Sequence, residues 1–238
     1  MKSVGWIFYN RWLFETEYSH AELAPLTPEG SKLWLCGPDS DWDPKLVRTC
    51  KGSSWAGASF HADLESARAA FDNAEGHFST LPGTTENWHA ILRPFRFSGK
   101  TNWFSHSDLR LEVADVDPGG PLAVMTSAGY DDESLSHLPR ILDFTSKVDK
   151  VRSWYDTLEG NLINGNFQHQ HLEIDGMTFS IWKSDEAMTE AAYGLGPHRE
   201  YLNAQKTDKL ADRTSYLRNR VIASKGTWGG ADPISLTD

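Results

Sequence analysis

The chain has 238 residues, a formal net charge of −10 and two cysteines, Cys36 and Cys50. This length is enough for one large domain or two small ones with a hydrophobic core. The negative charge argues against nucleic acid or an anionic membrane as a partner. The cysteine count favours a reducing, cytoplasmic compartment over a disulfide framework. The chain lacks a signal-peptide pattern at its start and any apolar run of about 18 residues, so we expect a cytoplasmic protein without an integral membrane segment.

The first half of the chain combines short apolar segments with one helical pattern. Four segments have the composition of strands, at residues 4–9, 32–36, 55–61 and 89–97. After the third of these, Asp63 is suited to cap a short helix with an apolar face. We interpret this half as an irregular version of the unit predicted for the second half.

The second half gives a more regular succession of elements. Strand patterns at residues 122–127, 167–174, 177–182 and 215–223 alternate with helical patterns at residues 134–159 and 185–209. Asn164-Gly165 is predicted to form a turn, and Asp175-Gly176 a tight hairpin between the second and third strands. The resulting order is βαββαβ, which is that of a ferredoxin-like unit.

A similar glycine–tryptophan segment closes each half of the chain. Gly99 precedes Trp103 in the first half, and Gly226 precedes Trp228 in the second. We interpret this as a weak internal duplication, with residues 1–114 and 121–238 as two modules joined at residues 115–120. The sequence therefore predicts an α+β fold of two ferredoxin-like βαββαβ modules that close as a dimeric α/β-barrel-type domain. A pocket is expected between the two modules.

The helix at residues 185–209 is predicted to break in a way that presents one histidine. Ser184 is a good N-cap, and Gly194 to Pro197 interrupts the helical pattern. Pro197 suits the first position of a new helix, which places His198 in its first turn. The positive end of that helix disfavours imidazolium, so His198 is expected to stay neutral, as a metal ligand must.

Several motifs resemble the spheroidene monooxygenase family, the haem-containing carotenoid ketolases. The matching segments occur in the family's order across roughly residues 85–230, while the first ~80 residues match poorly. They are Trp88–Pro94 with Gly99 and Trp103, then 121–128, Thr178–Trp182, Ala187-Met188, His198 and Gly226–Trp228.

This resemblance implies a haem b cofactor with His198 as the ligand to its iron. Arg93 and Arg96 are candidate partners for the haem propionates, because a guanidinium matches a carboxylate. Trp182 and Tyr193 are candidates to pack on the porphyrin, with an ordinary core role as the alternative. The resemblance also implies a small-molecule substrate and leaves open an external electron donor and a homo-oligomer.

A second set of candidates lies at residues 168–173. On a strand, His169, His171 and Glu173 would share one face, which is the composition of a non-haem iron site. A plain polar strand face is the alternative. Beside a haem, His169 and His171 would instead be catalytic, as proton donors or hydrogen-bond donors on the open side of the iron. The chain departs from the family here, because Asn166-Phe-Gln-His169 replaces a glycine-rich turn containing glutamate, which puts a carotenoid substrate in doubt.

Three function classes follow from these patterns. The favoured one is a haem-dependent monooxygenase-like oxidoreductase that acts on an apolar or aromatic small molecule. The second is a haem-dependent dehydratase of the aldoxime dehydratase type, in which the iron binds the substrate nitrogen and a distal histidine assists loss of water. The third is a haem-binding module without turnover, because paired ferredoxin-like folds host many functions.

Overall fold

A computed structural model describes residues 1–41, 49–77, 81–132, 134–167 and 175–236. These residues form ten β-strands and five α-helices. The strands are β1 (Lys2–Val4), β2 (Trp6–Phe14), β3 (Leu33–Asp41), β4 (Thr49–His61), β5 (Thr84–Gly99), β6 (Leu109–Leu111), β7 (Leu122–Gly129), β8 (Asn161–Phe167), β9 (Gly176–Trp182) and β10 (Arg213–Gly226). The helices are α1 (His20–Leu23), α2 (Leu64–His77), α3 (Leu138–Tyr155), α4 (Asp185–Tyr193) and α5 (Pro197–Asp208). Of the described helices, none has the length and apolar character needed to cross a bilayer.

Eight strands form one sheet in the order β3-β4-β2-β5-β10-β7-β9-β8, while β1 and β6 form a small parallel pair. The first four strands of the large sheet and the last four repeat one order in mirror image, and every pairing in it is antiparallel. The order within each half is that of a ferredoxin-like unit. The predicted α+β fold is confirmed.

The large sheet curls until its two edge strands meet. The backbone N–H of Ser40 on β3 donates to the side-chain oxygen of Asn166 on β8 over 3.1 Å, and the Asn166 amide donates back to the Ser40 carbonyl over 3.3 Å. Arg152 on α3 also donates to that carbonyl, over 3.3 Å. These contacts close the sheet as a barrel.

Large aromatic side chains fill the barrel interior. The ring of Tyr9 stacks on that of Phe179 with centroids 3.9 Å apart, and the Trp228 ring lies nearly parallel to both. Trp88 and Trp103 are buried in the same cluster. The expected pocket between the two modules is therefore wrong for the described residues, because these rings occupy the space between the two halves of the sheet.

Three local predictions around β8 are also wrong. β8 begins at Asn161 and not at Phe167, and residues 168–174 of the predicted strand at 167–174 lie outside the described residues. Asn164 and Gly165 form part of this strand and not a turn, and a side chain at Gly165 would lie 3.0 Å from the indole of Trp228. Asp175-Gly176 does not form a tight hairpin, because Phe167 pairs with Met177 and Gly176 already belongs to β9. The buried Asp175 carboxylate instead accepts from Arg213.

The two glycine–tryptophan segments occupy equivalent places. Gly99 and Gly226 each end the fourth strand of their half with φ near +92°, a conformation that favours glycine. In each case the next residue donates its backbone N–H over 2.9 Å to a carbonyl of the adjacent central strand. Lys100 donates to Thr214 on β10, and Thr227 donates to Asn87 on β5. This likeness agrees with the internal duplication inferred from the sequence.

Candidate functional site

A cavity of about 150 Å³ lies between the sheet of the second half and the helices that cover it. Its floor is the helix-facing side of β7, β8 and β9, and its roof consists of α3 and α5. The walls are mostly apolar, with Val124 and Trp182 from the sheet, Phe144 and Val148 from α3, and Met188 from α4. The described cavity therefore lies on the helix-covered side of the sheet and not in the barrel interior.

His198 lines this cavity from the first turn of α5. The predicted helix break is confirmed: Ser184 caps α4 by accepting from the Ala187 N–H over 3.1 Å, and Gly196 and Pro197 begin α5. The Nδ1 atom of His198 lies 2.7 Å from the carbonyl oxygen of Ala192 at the end of α4.

The chemistry of His198 follows from that contact. A carbonyl only accepts, so Nδ1 carries the proton and Nε2 carries the lone pair. Among the described residues, no hydrogen bond engages Nε2. Burial lowers the pKa of His198, with the Ala192 carbonyl partly opposing the shift, so the ring is neutral at neutral pH. The side chain thus has the protonation state of a metal ligand and the hydrogen bond that such a ligand usually makes through its other ring nitrogen.

Aromatic side chains hold the imidazole in place. The ring of Tyr155 on α3 lies 6.1 Å from that of His198 at an angle of 24°, and the Tyr201 ring lies 5.9 Å away. Trp182 contacts Tyr155 edge-on at 4.9 Å and donates its indole N–H to the Ser180 hydroxyl over 2.8 Å. Burial raises the pKa of Tyr201 to about 12, so its phenol stays protonated and is a potential donor.

Of the described residues that line the cavity, Arg152 alone carries a formal charge at neutral pH. It projects from α3, one turn before Tyr155, and its side chain is 16% exposed. Sequence reasoning did not select this residue. It interrupts the predicted apolar face of the helix at residues 134–159, and that interruption is the signal that would have found it.

The structure brings only two of the described candidates to the cavity, His198 and Trp182. Tyr193 is 54% exposed at the end of α4. Arg93 and Arg96 lie on β5 and do not line the cavity; the guanidinium of Arg93 bonds to the Gly5 carbonyl and lies over the Trp6 ring.

The predicted catalytic pair, His169 and His171, lies outside the described residues, as does Glu173 of the non-haem alternative. The described residues on either side of them are Phe167, the last of β8, and Asp175, which precedes β9. Phe167 and Gly176 both line the cavity, so the described ends of the segment lie at its edge.

Other sources of metal ligands are few. In the part of the chain that the structure describes, no three His, Cys, Asp or Glu side chains are grouped as a metal site. Burial raises the pKa of Cys36 to about 12, which keeps this thiol protonated and unsuited to bind iron as a thiolate. A single neutral histidine is thus the ligand that the described residues offer.

The corresponding side of the first half is closed by packing. Phe8, Trp12 and Trp55 fill the space between the sheet and its covering elements, and Leu23 of the one-turn helix α1 packs against them. In the element order of that half, the four-residue α1 takes the place that the long α3 has in the second half. The duplication therefore provides two similar sheets, of which the second carries the described cavity.

The fold and cavity define an α+β barrel with a half-buried histidine that lines an apolar space. The comparisons relate it distantly to the spheroidene monooxygenases. A stretch of 62 residues is 34% identical to spheroidene monooxygenase of Cereibacter sphaeroides, covering 26% of this chain and 19% of that protein. Over 124 residues, the chain is 24% identical to spheroidene monooxygenase of Rhodobacter capsulatus, covering 52% of this chain and 48% of that one. The chain thus matches half or less of the length of these relatives. No family model matches it.

Among solved structures, the crystal structure of an aldoxime dehydratase in complex with butyraldoxime has the same fold. It superposes with a TM-score of 0.58 at 11% sequence identity, and the match covers 99% of this chain and 86% of that one. At this identity the likeness concerns the architecture only.

Proposed function

We propose that this protein is a haem-dependent, monooxygenase-like oxidoreductase that acts on an apolar or aromatic small molecule in the cavity beneath α3 and α5. The observation that carries the proposal is the state of His198, a neutral imidazole whose Nδ1 is fixed by Ala192 while Nε2 stays available. The distant relation to the spheroidene monooxygenases supports the reaction class.

The donor set is suited to haem more than to a bare metal ion. A haem supplies four of its iron's ligands itself, so one histidine is enough on the protein side. The aromatic and aliphatic walls around His198 are compatible with a porphyrin face. When bound, the haem iron would supply the activation of dioxygen.

The size of the cavity sets a condition on binding. Ligand pockets usually have volumes of about 300–1,000 Å³, and this cavity has about 150 Å³. The covering helices contribute few fully buried residues: Val151 is the buried residue of α3, and α5 has none. We therefore expect α3 and α5 to move outward when haem enters, while the sheet stays in place.

The side chains around the cavity would exclude water and position protons. Trp182, Val148 and Phe144 keep the space apolar, which favours a substrate of the same character. The Tyr201 phenol keeps its proton at neutral pH and so can donate a hydrogen bond. His169 and His171 remain our proposed proton donors, because the described ends of their segment lie at the cavity edge.

The dehydratase alternative would use the same cavity. It depends on a distal histidine, for which His169 and His171 are again the candidates. The two reactions differ in their requirements, because oxygenation consumes dioxygen and electrons while dehydration needs neither.

An absorption spectrum and a turnover assay test the proposal together. Protein produced with a haem supply should show a Soret band, and pyridine haemochrome analysis should give haem b. The loaded protein should then consume dioxygen in the presence of a reductant and an apolar aromatic substrate. Turnover of an aldoxime without dioxygen would favour the dehydratase, and absence of haem under every loading condition would contradict both reactions.

A further inference from the structure

The cavity contains one charged side chain whose bonding in the structure is weak. Arg152 donates through Nε to the Asn164 side-chain oxygen over 3.3 Å and through Nη1 to the Ser40 carbonyl over 3.3 Å. Its nearest described carboxylate oxygen, on Asp39, is 3.7 Å from Nη2. These distances are longer than those of charge-assisted hydrogen bonds, which are about 2.7–2.9 Å.

Two other arginines that are shielded from water, both on β10, have carboxylates at hydrogen-bond distance. Arg220 is 9% exposed and binds both oxygens of Asp117, over 2.8 and 2.6 Å, as well as Asp185 over 2.6 Å. Arg213 is 10% exposed and donates two bonds to the buried Asp175 carboxylate, over 3.2 and 3.0 Å. Arg152 is similarly shielded from water, but its ion pair with Asp39 is longer, at 3.7 Å, and brings no described carboxylate oxygen within hydrogen-bond distance.

A weakly bonded guanidinium in a mostly apolar cavity is suited to bind an anion of matching shape. Removing a cation from water is unfavourable unless it is paired, and a carboxylate satisfies the planar fork through two parallel bonds. Asp39 does not provide this pair, because its nearest oxygen lies 3.7 Å from Nη2 and that same oxygen accepts from the Ser40 N–H over 2.8 Å.

We infer that Arg152 is the carboxylate-binding residue of this cavity, a role the sequence had placed on Arg93 and Arg96. The inference rests on the proposed function for one of its two carboxylate sources, the propionate of a haem held by His198. The other source is a carboxylate on the small-molecule substrate. Tyr155 and Arg152 are one turn apart on α3, so the group bound by Arg152 would lie beside the histidine and not across the barrel.

The test has two arms, each with Arg152→Gln, Arg152→Lys and the control Arg96→Gln, which removes an exposed arginine outside the cavity. In the first arm, titrations followed by tryptophan fluorescence compare hemin with hemin dimethyl ester, in which the propionates carry no charge. In the second, calorimetry on the protein as purified compares phenylacetate with phenylacetamide, which needs no haem. Circular dichroism and thermal unfolding establish that each variant is folded.

If the carboxylate is a propionate, Arg152→Gln weakens hemin binding about tenfold or more and leaves the ester unaffected. Arg152→Lys keeps the charge without the guanidinium fork and should bind hemin with intermediate affinity, while Arg96→Gln should bind it as tightly as the wild type. If the carboxylate belongs to the substrate, the preference for phenylacetate over phenylacetamide disappears in Arg152→Gln instead. The inference is overturned if Arg152→Gln keeps the wild-type preference in both arms, or if the wild type prefers neither carboxylate. Failure of the wild type to bind hemin or its ester, with phenylacetate still bound through Arg152, contradicts only the proposed function.

Discussion

The Nδ1 atom of His198 lies 2.7 Å from the carbonyl oxygen of Ala192, and this contact joins the start of α5 to the end of α4. The break between the two helices thereby brings the imidazole of His198 to a backbone carbonyl. The last turn of α4 exposes a carbonyl that lacks a helical partner, and the imidazole at the start of α5 satisfies it. The same bond fixes the tautomer that leaves Nε2 as the basic nitrogen.

Substitution of Gly196 should disturb this arrangement through Trp154. A Cβ at Gly196 would lie 2.6 Å from the Trp154 ring, so Gly196→Ala must displace either the indole or the start of α5. We expect a loss of about 1–3 kcal/mol in unfolding free energy and weaker hemin binding. Urea unfolding and hemin titration measure the two effects.

The double variant Gly196→Ala with Trp154→Leu tests whether the contact with the Trp154 ring causes the loss. Removing the indole relieves the clash, so the double variant should bind hemin more tightly than Gly196→Ala alone. An equal or greater loss in the double variant would rule out displacement by Trp154 as the reason.

Asp175, immediately before β9, should be a major stabilising residue. Its carboxylate is fully buried and accepts from Arg213 over 3.0 Å and from the Asn102 backbone N–H over 2.8 Å. Asp175→Asn leaves a shielded arginine without its inner partner and should lower the unfolding free energy by about 3 kcal/mol. Asp131→Asn removes the exposed partner of the same arginine and should lower it by less than about 1 kcal/mol. Equal effects of the two substitutions in urea unfolding would contradict this assignment.

Much of the second half could be predicted from the sequence because its signals are local. The cap at Ser184 and the Gly-Pro break depend on a few neighbouring residues and were placed correctly. The strand β8 was misplaced because its glycine, Gly165, resembles a turn signal. Its real cause is distant in the chain, since the Trp228 indole packs against it.

The location of the cavity was beyond local reasoning for the same physical reason. Which face of the sheet keeps an open space depends on how Tyr9, Trp88 and Phe179, from different strands, fill the barrel together. The choice of Arg93 and Arg96 over Arg152 likewise followed from sequence neighbours, whereas proximity to His198 is set by the packing of α3 on the sheet.

His61 should make the protein sensitive to mild acid. It is fully buried, its Nε2 lies 2.8 Å from the Ser59 hydroxyl, and burial lowers its pKa to about 4. The unfolded state has the ordinary pKa of about 6.5 and so takes up a proton first as the pH falls. The contribution of neutral His61 to the unfolding free energy is therefore fully present above pH 6.5. It is lost progressively down to about pH 4, by an amount on the order of 3 kcal/mol.

Denaturant unfolding of the wild type and His61→Gln across this pH range isolates the effect. Carboxylates titrate in both proteins, so the difference between the two curves reports on His61. We expect a shallower loss of stability in the variant, and parallel curves would show that His61 does not carry this acid sensitivity.

Hemin binding should protect the two helices above the cavity. α3 and α5 contribute few buried side chains, so in the free protein their amide hydrogens should exchange faster than those of the sheet. With hemin bound, hydrogen exchange should slow in α3 and α5 and stay unchanged in α2, which covers the first half. Protection that appears in α2 as much as in α5 would place the bound haem elsewhere.

The most direct measurement is the Soret-to-protein absorbance ratio of His198→Ala beside that of the exposed control His106→Ala, with circular dichroism on both. We expect His198→Ala to be folded, because a half-buried imidazole contributes little packing next to the cores on both faces of the sheet. It should hold little or no haem, and added imidazole should restore the Soret band by refilling the vacated coordination position, while His106→Ala should load like the wild type. If His198→Ala instead retains full haem occupancy with a histidine-ligated spectrum, His198 is not the iron ligand and the central claim is wrong.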